Sequence, residues 1–212
     1  VSGKMSDFTI ITSDDPDFED PQSICEEIAS YCKKAGGEYV ILPNRSEAVN
    51  YAVKMAVSGD ILILAGKGHE EYMKINVIKA ISDYCLFEFE PMYIEGMSSK
   101  NPAMRIACVK ALGDLANPKN EQLLITATYD KDWVVRSSAV KGLGKIDTPR
   151  SLEGIKEAIK DKEWWVRQSA AGALINRNVS VSDIEDILGG YDKYASDAVK
   201  YALYRSIDMK EG

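Results

Sequence analysis

The sequence predicts two modules of different class, an α/β unit over residues 1–69 and an all-α solenoid of helical repeats over residues 70–212. Three observations carry this reading. Short apolar strand patterns alternate with helical patterns over roughly the first 65 residues. From about residue 70 a 31-residue internal repeat takes over. The charge balance changes as well: of 26 basic and 33 acidic side chains, residues 1–95 hold 8 and 17, so the remainder is nearly neutral.

The front module reads element by element. Phe8 to Thr12 is apolar and β-branched and stops at Ser13-Asp14-Asp15-Pro16, a strand followed by a turn. Asp20-Pro21 supplies an N-cap and a first-turn proline for a helix with Ile24, Ile28, Tyr31 and Ala35 at helical spacing, ended by Gly36-Gly37. Tyr39 to Leu42 is a second strand. Arg45 to Val57 is a second helix whose apolar face is Ala48, Val49, Ala52, Val53 and Ala56. Ile61 to Ala65 is a third strand, followed by Gly66-Lys67-Gly68. Strands and helices in this alternation imply a parallel sheet with right-handed crossovers, here a truncated Rossmann-like sheet of about three strands. Ligands of such sheets sit beyond the carboxyl ends of the strands, where the loops Ser13 to Asp17 and Gly66 to Glu70 leave. Gly66-Lys67-Gly68 is not a P-loop, because the earlier glycine and the hydroxyl residue after the lysine are missing.

Composition excludes several classes. A net charge of −7 disfavours general nucleic-acid binding, which needs surplus Lys and Arg. His69 is the only histidine, so no multi-histidine metal site exists, and no metal site is expected. Cys25, Cys32, Cys85 and Cys108 form no CxxC pair and read as small buried hydrophobes in a reducing compartment. No apolar run approaches the roughly 20 residues of a membrane span and no secretion signal is recognisable, so a cytoplasmic location without membrane insertion is expected.

In the back module the clearest repeat copies are Asp132 to Val140 and Glu163 to Ala171, with Met104 to Leu112 and Met73 to Ile81 one and two periods upstream. Lys79, Lys110 and Lys141 hold the register. Each unit carries two helical patterns, and Pro118 and Pro149 mark the turn between them. Units of this kind bury their apolar faces only by stacking. The pattern resembles short HEAT-like repeats containing an arginine. Arg105, Arg136 and Arg167 recur at one register, and Asp132/Arg136 and Glu163/Arg167 have the four-residue spacing of helical ion pairs, with a ladder between repeats as the alternative. Trp133, Trp164 and Trp165 stand near helix starts. They are partner-binding candidates if exposed and inter-repeat core if buried. The solenoid implies a protein partner. The repeat follows residue 69 without a flexible linker, which predicts a continuous apolar interface between the sheet and the first repeat.

The stretches DFTIITSDDPDFEDPQSI, LPNRSEAVNYAV and GDILILAGKGHEEY resemble the C-terminal domain of Mur ligases, with the nearest likeness to the enzymes that add the third amino acid of the peptidoglycan stem. The resemblance implies an ATP-dependent amide ligase whose C-terminal domain presents the incoming amino acid. It maps the substrate-selecting loop onto Asp14, Asp15, Pro16 and Asp17, and the second loop onto Gly66, Lys67, His69 and Glu70. Family members that take diaminopimelate usually have asparagine at the position of Asp15 and arginine at that of Asp17. Acidic residues at both positions favour a lysine-type amino acid. The family's ATPase and uridine-nucleotide domains do not occur in these 212 residues, so no cofactor is expected here, ATP and magnesium belonging to an upstream domain, and no catalysis is expected from this chain alone. Two further readings stand beside this one: a solenoid scaffold for which the ligase-like part is a structural cap, and an amino-acid sensor that binds without catalysis.

Overall fold

The computed structural model describes residues 2–13, 18–66, 71–177 and 179–211. The chain folds as two compact units, Val1–Ile81 and Ser82–Gly212.

The first unit runs α1 (Ser2–Met5), β1 (Thr9–Ile11), α2 (Pro21–Lys34), β2 (Tyr39–Ile41), α3 (Arg45–Met55) and α4 (Glu71–Ser82, the last residue excepted). β1 and β2 are parallel, pairing Thr9 with Tyr39, Ile10 with Val40 and Ile11 with Ile41. The crossover helix α2 starts where its cap dictates: the Asp20 carboxylate accepts from the Ser23 amide at 2.9 Å, and Pro21 occupies the first turn. It ends at Gly36, whose φ of 79° suits a residue without Cβ.

The buried stripe of α2 is not the one that residue size suggests. Ile28 and Tyr31 are exposed, while Cys25, Ala29 and Cys32 pack with Ile11, Tyr39 and Ile41. Small side chains at this i, i+4, i+7 spacing let the helix lie close to the strands. In α3 the buried residues are Ala48, Val49 and Ala52, whereas Ala56 caps the helix and is exposed.

Among the described residues the sheet has two strands where the sequence predicts about three. Ile61–Leu64 pairs with neither strand, yet its exposure alternates at 86, 46, 81 and 38%, the two-residue period of an extended chain. The helix that opens the repeat register, α4, lies in this first unit. There Val77 and Ala80 pack on Val49 and Val53 of α3, a helix, where the sequence predicts an interface with the sheet.

The second unit contains α5 (Glu90–Gly96), α6 (Pro102–Leu115), α7 (Glu121–Ala127), α8 (Trp133–Leu143), α9 (Pro149–Ala158), α10 (Trp164–Asn176), α11 (Val181–Leu188) and α12 (Lys193–Glu211). The starts of α6, α8 and α10 are 31 residues apart. These helices and α12 pack side by side in one layer, and α7 and α9 pack behind α8. Leu112, Leu124, Leu143, Ile155, Ile159 and Leu174 are fully buried between the layers. α6 and α8 approach so closely at Gly113 that an added Cβ would lie 2.7 Å from the Gly142 Cα. Asn101 and Asp132 cap α6 and α8, and Thr148 and Ser180 form capping boxes with Ser151 and Asp183.

Cys25, Cys32 and Cys108 are buried and free. Cys85 is exposed, contrary to its apolar reading, because it follows the end of α4 in a left-handed turn at φ 50°. No helix among the described residues is long and apolar enough to cross a membrane.

Candidate functional site

Two regions hold the residues that the sequence singles out. The first is the carboxyl edge of the sheet. Asp14, Asp15, Asp17, Lys67, His69 and Glu70 lie outside the described residues. Gly66 is described, exposed, and has a φ of 98°.

The residues that lead into both loops are joined by a side chain that the sequence reading passed over. Arg45, at the first position of α3, donates from Nη1 to the Ser13 carbonyl at 3.3 Å and from Nη2 to the Ala65 carbonyl at 3.0 Å. The Ser13 hydroxyl and amide both donate to the Pro43 carbonyl, at 2.7 and 3.2 Å. The guanidinium therefore ties the end of β1 to that of the Ile61–Ala65 run, and Ser13 ties the end of β1 to the residues after β2. The available signal was an arginine opening the helix directly after a strand, LPNRSEA.

The second region is the face of α6, α8 and α10. Trp133, Trp164 and Trp165 come together there. The Trp133 and Trp165 rings stack at a centroid separation of 6.4 Å, and Trp164 meets Trp165 edge-on at 4.5 Å. All three are exposed, at 40, 46 and 58%. Beside Trp165 a groove is lined by Lys110, Lys141, Lys145 and Asp114, with Gln168 and Asn176. Lys145 is bound to Asp114 at 2.6 Å. Lys110 and Lys141 are exposed and form no ion pair among the described residues.

The recurrent arginines are structural, by the ladder and not by pairs within a helix. Arg105 binds Asp130 through Nε and Nη2 at 2.8 and 2.9 Å, and Arg136 binds Asp161 at 2.7 and 2.9 Å. Each Nη1 also donates to carbonyls of the preceding turn, Ser99 and Lys100 for Arg105, and Asp130 and Lys131 for Arg136. The side chains lean towards the helix N-terminus, and Asp132 is occupied in capping Val134 at 2.8 Å. The last rung differs: Asp192 caps α12 through the Tyr194 and Ala195 amides, and Arg167 lies under the Tyr194 ring at 5.3 Å. Burial alone would raise the Asp130 and Asp161 carboxyls. The arginine hydrogen bonds, the backbone amides of Asp132 and Glu163 and the neighbouring positive charges together outweigh it and hold both below their ordinary value of 3.8.

Comparison with known proteins divides the chain in the same way. Residues 1–68 match the family described as Mur ligase, glutamate ligase domain, and residues 90–175 match HEAT repeats. The UDP-N-acetylmuramoyl-L-alanyl-D-glutamate–2,6-diaminopimelate ligase of Alkaliphilus metalliredigens is 42% identical over 101 residues, covering 48% of this chain and 20% of that enzyme. The corresponding ligase of Caldanaerobacter subterraneus subsp. tengcongensis is 47% identical over 75 residues, covering 35% of this chain and 16% of the enzyme. The chain thus spans about a fifth or less of the curated relatives that it matches. Among solved structures, the complex of CpcE and CpcF of phycocyanin lyase from Nostoc sp. PCC7120 superposes with a TM-score of 0.50 at 18% identity, over 74% of this chain and 98% of that one. At that identity the likeness is one of fold.

Proposed function

We propose that this chain is the C-terminal part of a Mur-ligase-like, ATP-dependent amino-acid-adding protein, extended by a helical-repeat module that docks another protein, and that it is not catalytic by itself. Residues 1–69 are the ligase-like domain and residues 70–212 the repeat array. Ile61–Ala65 is the third strand of the Rossmann-like sheet in this reading. Its alternating exposure and the Arg45 bond to Ala65 support that assignment.

The observation that carries the docking reading is the exposed tryptophan cluster of Trp133, Trp164 and Trp165 on the repeat face. Exposed aromatic clusters of this kind supply much of the energy of protein interfaces. A displayed peptide library panned against the chain should yield binders that are lost on Trp165→Ala. A library that yields none, or binders indifferent to that change, removes docking from the proposal. Amide formation by this chain alone from ATP, the muramoyl dipeptide and lysine would remove the non-catalytic part.

The ligase-like unit would bind a lysine-type amino acid through Asp14, Asp15, Asp17, Gly66, Lys67, His69 and Glu70. The relatives' names specify 2,6-diaminopimelate. Acidic residues at Asp15 and Asp17 would repel its distal carboxylate and attract a plain ammonium. In the complete protein Asp17→Arg should move preference towards diaminopimelate, and an unchanged preference would break this mapping.

A second reading makes the ligase-like unit a structural cap on a non-enzymatic scaffold. The packing of α4 on α3 through Val77 and Ala80 favours it. Calorimetric titration separates the two, since only the first expects heat with lysine.

A further inference from the structure

The groove beside Trp165 has a charge that the rest of the chain does not. Its ionic side chains are Lys110, Lys141, Lys145 and Asp114, a local excess of two positive charges in a chain of net charge −7. Lys145 and Asp114 neutralise each other across α6 and α8. Lys110 and Lys141 remain exposed, and neither has an ion-pair partner among the described residues. An acidic protein gains nothing in solubility from two cations in one groove, and the repeat core does not use them.

Their spacing is fixed by the fold. Both occupy the same register, 31 residues apart, on helices that touch through Gly113 and Gly142. Helices in such contact lie about 8–10 Å apart. A peptide in the extended polyproline II form rises about 3.1 Å per residue with three residues per turn, so side chains three positions apart lie on one face at about that pitch. The apolar wall at one side of the groove is Trp165, held against Trp133 and Trp164.

We infer that this groove binds an acidic peptide segment of the partner protein in the polyproline II form, with two carboxylates three residues apart on Lys110 and Lys141 and a large apolar side chain against Trp165. The inference rests on the docking reading above and names the chemistry of its partner. The chain has three tryptophans and all stand in this cluster, so its tryptophan emission, excited where tyrosine does not absorb, reports on the site alone.

The test is a fluorescence titration of the full chain with a tryptophan-free peptide carrying two glutamates three apart and one phenylalanine. Its counterparts replace both glutamates by lysine, or the phenylalanine by serine. The acidic peptide should shift the emission, and Lys110→Glu with Lys141→Glu should weaken binding at least about tenfold. Added salt should weaken it too, and the lysine peptide should bind less tightly than the acidic one. The milder pair Lys110→Gln and Lys141→Gln should give an intermediate loss and keeps the test open if charge reversal disturbs folding. Equal binding of the lysine peptide, or an affinity unchanged in both lysine pairs, overturns the acidic occupant. If library binders that depend on Trp165 prove neutral or basic, the docking reading stands and this inference falls. If no peptide binds at all, both fall.

Discussion

An ion pair and a tyrosine with opposite satisfaction show what burial costs here. Arg136 and Asp161 are nearly buried, with side-chain exposures of 7 and 12%, and the pair is saturated by two hydrogen bonds. Asp161→Ala would strand a buried guanidinium, which costs about 3–5 kcal/mol, whereas the double change Arg136→Met with Asp161→Leu should recover most of it. Urea unfolding of the three proteins checks this, and a double variant no better than the single one would contradict it. The pair also predicts a pH response. Asp130 and Asp161 are depressed in the folded chain, so their contribution is complete above their unfolded value near pH 4 and fades as pH falls through the folded values. Asp161→Asn should flatten the loss of stability between about pH 5 and pH 2. Tyr93 is the converse. It is fully buried, its hydroxyl has no hydrogen-bond partner among the described residues, and burial above all, with Cys108, Cys85 and Glu88 adding, pushes its pKa up to about 12. Tyr93→Phe removes an unsatisfied buried group and should stabilise by about 1 kcal/mol; a measured destabilisation would mean that the hydroxyl has a partner.

Helices in this chain are placed by small residues as much as by large ones. A Cβ at Gly113 would meet backbone at 2.7 Å, while one at Gly172 in α10 would meet nothing within 4 Å. Gly113→Ala should therefore force α6 and α8 apart and lower stability by about 1–3 kcal/mol. Gly172→Ala should raise it by roughly 0.5–1 kcal/mol through helix propensity alone. Thermal melts of both variants test the pair, and shifts of the same sign would refute it. The same logic explains where sequence reading succeeded and where it did not. Repeat boundaries were legible because Arg105, Arg136 and Arg167 recur at a constant period, each three residues into α6, α8 and α10. The buried face of α2 was not, because Cys25, Ala29 and Cys32 carry a weaker apolar signal than the exposed Ile28 and Tyr31. The sequence left the arginine partners between pairs within a helix and a ladder between repeats for a related reason: spacing along one helix cannot show that Asp132 is engaged as a cap while Asp161 faces Arg136 from the next repeat.

At the scale of the whole chain the two units differ in how much apolar bulk they bury. The buried apolar side chains of the first unit are mostly small, Cys25, Ala29, Cys32, Ala48, Val49, Ala52 and Ala80, with Ile11 and the α4 residues Ile75, Ile78 and Ile81 as its bulk, over two strands of three residues each. The second unit seals Leu112, Leu124, Leu143, Ile146, Ile155, Ile159 and Leu174 completely. Each fully buried Leu or Ile is worth about 1.5–3 kcal/mol relative to exposure, and Ala or Cys much less. A sheet of two short strands adds little independent stability. The ladder and caps make each repeat's contribution cooperative with the next. Native-state hydrogen exchange should then be fastest across β1, β2 and α3 and slowest across α6, α8 and α10. Protection in β1 and β2 equal to that in α8 would show that the first unit draws on stabilisation beyond its own core. A large difference would mean that the ligase-like unit opens at a free energy where the repeats stay folded, the condition under which the groove at Trp165 keeps its form whatever the state of the loops at the sheet's edge.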